Sequence, residues 1–274
     1  MALILTFKQP PTDIRFLSEY DFEQIDDLTY KLISKANGEP ITSINERPFS
    51  RCKLLESVVI PNSVNTIGNK AFYNCESLES VVIPDSVNTI GNYAFESCES
   101  LKSVVIGNSV KTIGNFAFHY CTSLKSVVIP DSVTNIGNGA LWGCKSLESI
   151  VIPDSITNIG YGAFLKCISL ESVVIPDSVN TIGNGAFAYC ESLESIIIPD
   201  SVISIQKHVF NNCSSLKSVV IPDSVISIQK HVFNNCPSLK IITINGQITE
   251  YLEEYFKTNY PKIDLEFPDQ YLLK

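Results

Sequence analysis

Apolar and polar positions recur along this chain with a fixed period of 23 residues. The stretch from Leu78 to Ser100 reads LESVVIPDSVNTIGNYAFESCES, and closely related stretches follow one another from Leu55 to Ser238. A fixed period of roughly 20 to 50 residues is typical of solenoids, in which each repeat packs only on its neighbours. The pattern therefore predicts a stack of eight regular units, numbered here from the unit that begins at Leu55, with that leucine as position 1.

Each unit is predicted to contain two inward-facing segments separated by bends. The unit that begins at Leu78 opens with L-x-x-V-x-I, whose last residues alternate as a β-strand does. Proline then ends the strand because it lacks a backbone donor, the Asp–Ser pair favours a local turn, and Gly91–Asn92 permits a second bend. One unit would bury about eight apolar side chains, each contributing roughly 1.5–3 kcal/mol, against roughly 1–2 kcal/mol of entropy per ordered residue. A single unit cannot fold alone, so the units must stack.

The consensus L-x-x-V-x-I-P-x-S-V-x-x-I-G-x-x-A-F-x-x-C resembles the BspA-like class of leucine-rich repeats over about two thirds of the chain. This resemblance implies a leucine-rich repeat solenoid that is mainly β, with a parallel sheet on its concave face. Short strands, turns or 3₁₀ segments are then expected on the convex side. The resemblance also implies a surface, adhesion or host-interaction role and no catalytic residue shared by the family.

The two ends depart from the repeat, as expected for terminal units with one face toward solvent. Residues 1–54 are predicted to form an N-terminal cap and a degenerate first repeat, with a strand at Leu3–Phe7 and a partly helical element from Asp13 to Leu32. Residues 55–238 form the eight regular units. Residues 239–274 are predicted to form a last strand and a C-terminal cap of one helix and one strand, since helical spacing of apolar residues ends before Pro261.

Composition narrows the classes of partner. The net charge is −9 and the pI is about 4.9, which argues against the nucleic-acid backbone or an anionic membrane as partner. No apolar run approaches the length of a membrane span, and the opening residues lack the basic region of a signal peptide. We expect a cytoplasmic protein; a surface or secreted location by an unrecognised route is the alternative that the family resemblance leaves open.

Several columns of identical residues could carry chemistry. The cysteines all fall on the 23-residue step, and they are Cys52, Cys75, Cys98, Cys121, Cys144, Cys167, Cys190, Cys213 and Cys236. Stacked strands bring neighbouring Cα atoms within disulfide range, but the Cβ vectors run parallel, the number is odd and the C-x₂₋₄-C spacing of zinc sites is absent. Buried, reduced thiols are therefore expected.

The remaining columns also favour structural interpretations. The aspartates of the Pro-Asp-Ser turns lack the glycine-rich calcium motif, and two stacked histidines, His208 and His231, are too few for a zinc site. A phenylalanine column is expected to form an internal spine, with Leu141 replacing one member beside Trp142, the only tryptophan. No nucleophile elbow, phosphate-binding loop or dinucleotide motif is present. We expect no enzyme activity, no cofactor and no metal.

The best functional candidates are two rows on the predicted concave sheet. With positions 1, 4 and 6 inward, position 5 points outward and forms an apolar row that we call the valine row. Its members are Val59, Val82, Val105, Val128, Val151, Val174, Ile197 and Val220. Position 2 adds a flanking charge row, whose members are Glu56, Glu79, Lys102, Lys125, Glu148, Glu171, Glu194, Lys217 and Lys240.

An exposed apolar row of this length usually marks an interaction surface. We predict that the valine row supplies affinity for a protein partner and that the charge row, with Lys102, Lys125, Glu148 and Glu171 in its middle, supplies selectivity. Two alternatives stay open. The same row could mediate self-association in a structural or assembly component, or its β-branched residues could merely stabilise neighbouring strands.

Overall fold

Each 23-residue unit contributes one strand to each of two parallel sheets on opposite sides of the stack. The computed structural model describes residues 2–11, 18–246 and 249–267. In unit 2, the longer strand Ser80–Ile83 and the two-residue strand Thr89–Ile90 pair in register with the equivalent strands of unit 3, for example Val81 with Val104 and Ile90 with Ile113. One period of the sequence is therefore one turn of the solenoid.

In chain order the elements are β1 (Leu3–Phe7), β2 (Tyr20–Gln24), β3 (Thr29–Lys35), β4 (Ser43–Ile44), β5 (Leu55–Val59), β6 (Thr66–Ile67), β7 (Ser80–Ile83), β8 (Thr89–Ile90), β9 (Ser103–Ile106), β10 (Thr112–Ile113), β11 (Ser126–Val128), β12 (Asn135–Ile136), β13 (Ser149–Val151), β14 (Asn158–Ile159), β15 (Ser172–Val174), β16 (Thr181–Ile182), β17 (Ser195–Ile197), β18 (Ser204–Ile205), β19 (Ser218–Pro222), β20 (Ser227–Ile228), β21 (Ile241–Asn245), α1 (Glu250–Asn259) and β22 (Asp264–Glu266). We call the side built by the odd-numbered strands from β5 to β21 the major sheet. The even-numbered strands from β4 to β20 form the minor sheet, which is continuous over nine strands.

The major sheet is interrupted once. Strands β5 to β15 pair in sequence order, and β17, β19 and β21 pair with one another, but β15 and β17 do not pair. The two-residue strands of the minor sheet, each followed by turns, confirm that the second side of each unit holds short strands and turns. The expected mainly β repeat solenoid is therefore present.

The core lies between the two sheets and repeats with the sequence. In unit 2 it consists of eight side chains, all at most 2% exposed: Leu78, Val81, Ile83, Val87, Ile90, Ala94, Phe95 and Cys98. The phenylalanine rings stack along the interior, with centroids 5.2 Å apart for Phe72 and Phe95 and 5.4 Å apart for Phe95 and Phe118. The predicted internal aromatic spine is confirmed.

Glycine at position 14 permits close stacking, since a Cβ on Gly91 would lie 2.6 Å from the backbone carbon of Gly68.

The Asp–Ser pair of unit 2 lies in the predicted local turn, in which the Val87 N–H donates to the Pro84 carbonyl oxygen at 3.0 Å, but its side chains connect neighbouring units. Ser86 Oγ donates to the carbonyl oxygen of Val64 in the preceding unit at 2.6 Å, and the Asp85 carboxylate accepts from the backbone N–H of Asn108 in the following unit at 2.7 Å. The expectation that these side chains serve the turn in their own unit is wrong for this pair. Because the partner carbonyl lies one turn away in the stack, periodic sequence alone did not reveal it.

The N-terminal segment adds three antiparallel strands to the first edge of the major sheet. β1 lies antiparallel between β5 and β3, and β2 pairs antiparallel with β3 at the outer edge. The partly helical element expected from Asp13 to Leu32 is wrong for residues 20–32, which form β2 and the start of β3; residues 12–17 of that segment lie outside the described residues. Alternation explains the strands, since Tyr30 and Leu32 are buried and flank a half-exposed residue.

At the other end the predicted helix and strand are both present. Thr249 Oγ1 accepts from the Leu252 N–H at 3.3 Å and caps α1, and Leu252 and Phe256 are buried against the stack. β22 pairs in parallel with β21. No helix among the described residues is long and apolar enough to cross a membrane.

Candidate interaction surface

The outward face of the major sheet exposes the valine row. Strand alternation buries position 4 and turns position 5 toward solvent, as in β13, where Ile150 is 3% exposed and Val151 is 70% exposed. Val128 and Val174 on the neighbouring strands are 75% and 68% exposed. The remaining members are between 54% and 66% exposed, except for the half-buried Val220, and they are Val59, Val82, Val105 and Ile197. The structure thus places apolar side chains at one register position over eight successive strands.

A row of serines runs beside the valine row on the same face. Position 3 supplies these residues, for example Ser103, Ser126 and Ser149, which are exposed and pair in register or occupy equivalent positions on successive strands. Because a hydroxyl group both donates and accepts hydrogen bonds, this row adds polar capacity next to the apolar contact area. The face combines one apolar and one hydroxyl row along the length of the stack.

The charge row lines one margin of this face, where each strand begins. Lys102 Nζ lies 3.0 Å from the Glu79 carboxylate, and Lys217 Nζ lies 2.7 Å from that of Glu194, each ion pair joining adjacent units. The lysines are about 60% exposed. Exposed ion pairs contribute roughly 0–1 kcal/mol to stability, so these charges are available for a partner at little cost to the fold.

The interruption between β15 and β17 opens a small cavity in the same face. Its volume is about 270 Å³, and its walls include Val173, Val174, Ile196 and Ile197. The rest of the turn holds these units together, since Phe187 N–H donates to the Val209 carbonyl oxygen at 3.0 Å. Sequence analysis did not find this opening. The only local signal is that both position 4 and position 5 are isoleucine in unit 7, so the strand carries two additional methylene groups.

A second group of aromatic residues lies at the turns between the two sheets. The Phe116 ring stacks on that of Tyr93 at 5.2 Å, and Trp142 packs against His119 with ring centroids 5.4 Å apart. Gly139 makes room for this arrangement, since a Cβ there would lie 2.3 Å from the Phe116 ring. Trp142 is half-buried, in line with the partial exposure expected for it. The cluster as a whole was missed, because its rings come from two positions of the repeat, 16 and 19, at which the residue type varies from unit to unit.

The cysteine column is buried and its thiols act as donors within the stack. Seven side chains are fully buried, while Cys52 and Cys236 at the ends are half-buried. Cys98 Sγ donates to the carbonyl oxygen of Phe72 at 3.2 Å, and the bond recurs in other units. Burial raises the pKa of the Cys98 thiol to about 12, which suppresses the reactive thiolate.

The other predicted columns do not assemble a chemical site among the described residues. The rings of His208 and His231 stack 5.2 Å apart, as their equivalent positions predicted. Within residues 2–11, 18–246 and 249–267, no group of three or more histidine, cysteine, aspartate and glutamate side chains is arranged to hold a metal ion. The exposed face of the major sheet is therefore the most extensive candidate site.

Comparison with known proteins places this geometry in context. The family model for the BspA type leucine rich repeat region matches residues 15–148 and 134–262. The crystal structure of a T. pallidum leucine rich repeat protein is 24% identical, with a TM-score of 0.52 over 94% of this chain and 99% of that chain, and shows the same fold. No curated protein matches the chain.

Two further bacterial structures are similar in sequence over most of their length. A leucine rich cell surface protein from Faecalibacterium prausnitzii A2-165 is 27% identical over 84% of this chain and 83% of that chain, with a TM-score of 0.40. A leucine-rich repeat protein from Bacteroides ovatus ATCC 8483 is 23% identical over 90% of both chains, with a TM-score of 0.42.

Proposed function

Since the chain belongs to the BspA-type leucine-rich repeat family, we propose that it is a non-enzymatic protein-interaction module that binds through the exposed face of its major sheet. The family supports a repeat module for protein interaction or for structure. The observation that carries the finer proposal is the valine row, whose central members Val128, Val151 and Val174 are 68–75% exposed in one continuous line. Folded monomers rarely expose a contiguous apolar patch of more than a few hundred square ångströms without using it for binding.

The face is suited to binding because it is already ordered. Most of its strands are hydrogen-bonded on both sides, so the side chains are held in position before a partner arrives. A pre-ordered surface loses less conformational entropy on binding. Burial of the valine row supplies affinity, and the charge row at the margin favours partners with complementary charge. The net charge of −9 favours a protein partner over a nucleic acid.

Two further expectations accompany this proposal. The protein acts without catalysis, which membership of a family of repeat scaffolds supports. The cytoplasmic location stays a prediction, and fractionation of the source cells distinguishes it from a surface or secreted location.

The proposal is tested by changing the valine row while leaving the core intact. The double variant Val128→Arg/Val174→Arg places two positive charges on the face, and the inward residues Val127 and Ile129 are not altered. Folding should survive, because exposed substitutions usually change stability by about 0.5 kcal/mol and lost β-propensity adds up to about 1 kcal/mol. Binding should fall by far more, since apolar contacts at the centre of an interface dominate its energy.

A matched control is available on the other side of the stack. Ile203 and Ile226 are 56% and 60% exposed next to the minor sheet, so Ile203→Arg/Ile226→Arg adds the same charge to another apolar pair that is more than half exposed. Affinity capture from the native source should retain the same proteins with the parent and the control, and lose them with the valine-row variant. If the valine-row variant folds and retains the same proteins as the parent, the face is only scaffold and the proposal fails.

A further inference from the structure

In the charge row, two members at equal distances from the centre carry opposite charges. From the first unit to the ninth, its members are Glu, Glu, Lys, Lys, Glu, Glu, Glu, Lys and Lys, at residues 56, 79, 102, 125, 148, 171, 194, 217 and 240. The first and ninth members have opposite charges, and so do the second and eighth, the third and seventh, and the fourth and sixth. Glu148 is the centre. A copy of the row laid against it in reverse order therefore brings four kinds of opposite-charge pair together and one like-charge contact, that of Glu148 with its own copy.

Contacts within one chain do not explain this order. Adjacent units stack about 4.8 Å apart, and like charges directly opposite each other on neighbouring strands are destabilising. Of the eight steps between neighbouring members of the row, five join like charges, as in Lys102 and Lys125. Strict alternation of sign would remove this repulsion. Three steps join opposite charges, and among the described residues two of them form an ion pair, Lys102 with Glu79 and Lys217 with Glu194.

We propose that the exposed face of the major sheet binds a second copy of this chain, face to face and with the order of units reversed, so that Lys125 of each copy faces Glu171 of the other. This inference rests on the proposed function, because it names the occupant of the same face. The two copies are related by a twofold axis that lies parallel to the strands and passes through β13. Such an interface is self-complementary, as is usual for homodimers.

This axis aligns every row of the face. Rotation about the strand direction keeps position 2 facing position 2 and position 5 facing position 5, and it inverts only the order of units. Val151 then faces its own copy, and Val128 faces Val174. These three are the most exposed members of the valine row, at 70%, 75% and 68%, and they lie at the centre, where apolar contacts contribute most to binding. A twofold axis along the stack would instead place the two charge rows at opposite margins, where their order would have no effect.

Shape and area are compatible with a reversible dimer. The exposed face of the major sheet consists of parallel strands in register, interrupted once between β15 and β17, and two such faces can pack on each other at about 10 Å. Nine strands span about 38 Å, and positions 2 to 6 span about 16 Å, so each copy buries on the order of 600 Å² and the pair about 1,200 Å². This lies at the lower end of specific interfaces, where transient complexes are found, and we expect micromolar association.

Sedimentation equilibrium of the full chain tests the register through a charge exchange. The parent should form a reversible dimer in the micromolar range. Lys125→Glu alone and Glu171→Lys alone each create two like-charge contacts across the interface, and each should weaken the dimer roughly 10- to 100-fold. The combined variant Lys125→Glu/Glu171→Lys restores opposite charges at both contacts and should dimerise within about threefold of the parent.

A matched control separates register from overall charge. Lys125→Glu/Glu194→Lys has the same net charge and the same kinds of substitution as the combined exchange. In the reversed register, however, it places glutamate against glutamate at positions 125 and 171 and lysine against lysine at positions 102 and 194. We expect this control to dimerise more weakly than the combined exchange. Its loss of the exposed Glu194–Lys217 ion pair has little effect on folding, which circular dichroism checks for every variant.

Failure of this inference differs from failure of the proposed function. A monomeric parent at all accessible concentrations overturns the dimer, and a combined exchange that stays as weak as the single variants overturns the reversed register. If either occurs while Val128→Arg/Val174→Arg still loses captured proteins that the Ile203→Arg/Ile226→Arg control retains, the face binds another partner and the proposed function stands. Rescue by the combined exchange, with no rescue in the matched control, supports the inference.

Discussion

The phenylalanine column permits a quantitative test of the repeat architecture. Phe95 is fully buried and stacks between Phe72 at 5.2 Å and Phe118 at 5.4 Å. Replacing a buried phenylalanine with alanine costs about 3–5 kcal/mol in all, and the upper part of this range applies where aromatic pairs worth roughly 0.5–1.5 kcal/mol each are lost as well. Because Phe95 has two stacked neighbours and each unit rests on the next, we expect Phe95→Ala to lower the free energy of unfolding by about 4–5 kcal/mol.

Phe95→Leu is the natural control, since Leu141 occupies the equivalent position in unit 4 at 2% exposure. We expect it to cost about 1–2 kcal/mol, because most of the volume and apolar area is retained. Urea unfolding followed by circular dichroism measures both variants. If the alanine variant loses less than about 1 kcal/mol, the column does not hold the units together and the reasoning from stacked burial is refuted.

The remaining predictions concern the thiols and the C-terminal segment. Native protein should react slowly with thiol reagents, and denatured protein should titrate close to nine thiols; rapid labelling of the native protein would contradict burial of the column. Burial raises the pKa of Cys98 from 9.0 to about 12, so the unfolded chain loses this proton at lower pH than the folded chain does. The free energy of unfolding should therefore fall as the pH rises from about 9 toward 12. Urea unfolding across that range measures this fall, and an unchanged free energy of unfolding would refute the prediction. Deleting residues 247–274 exposes β21 and removes the buried Phe256, so we expect aggregation; a monomeric, cooperatively folding truncation would show that this segment is not a cap.

Features that depend on the period could be predicted from the sequence. A 23-residue step sets the inward positions once for the whole stack, so the burial of Leu78, Phe95 and Cys98 and the exposure of Val128 follow from one unit. Alternation within a strand is the simplest of these rules, because successive side chains point to opposite faces. The predicted exposure at position 5 therefore agrees with the structure, although the binding role of the row stays a proposal.

Features that depend on contacts outside the period could not be predicted. β1 occupies the place next to β5 in antiparallel orientation, and β2 and β3 extend that edge, although the mixed polar sequence from residue 13 had indicated a partly helical element. The missing pairing between β15 and β17 interrupts the major sheet at one place, whereas the repeat pattern continues there without a break. Hydrogen bonds between units, such as that of Ser86 with Val64, do recur with the period, but their partners lie one turn away in the stack and the pattern within one unit does not identify them.

Methyl NMR of the full chain, labelled at valine and isoleucine, tests the central claim that the valine row is the contact surface. A dilution series compares Val128, Val151 and Val174 on the major sheet with Ile203 and Ile226 beside the minor sheet, all of which are exposed in the single chain. We predict concentration-dependent shifts at the three valines and none at the two isoleucines. Shifts confined to Ile203 and Ile226, or association in the ultracentrifuge with unchanged valine signals, would contradict the account.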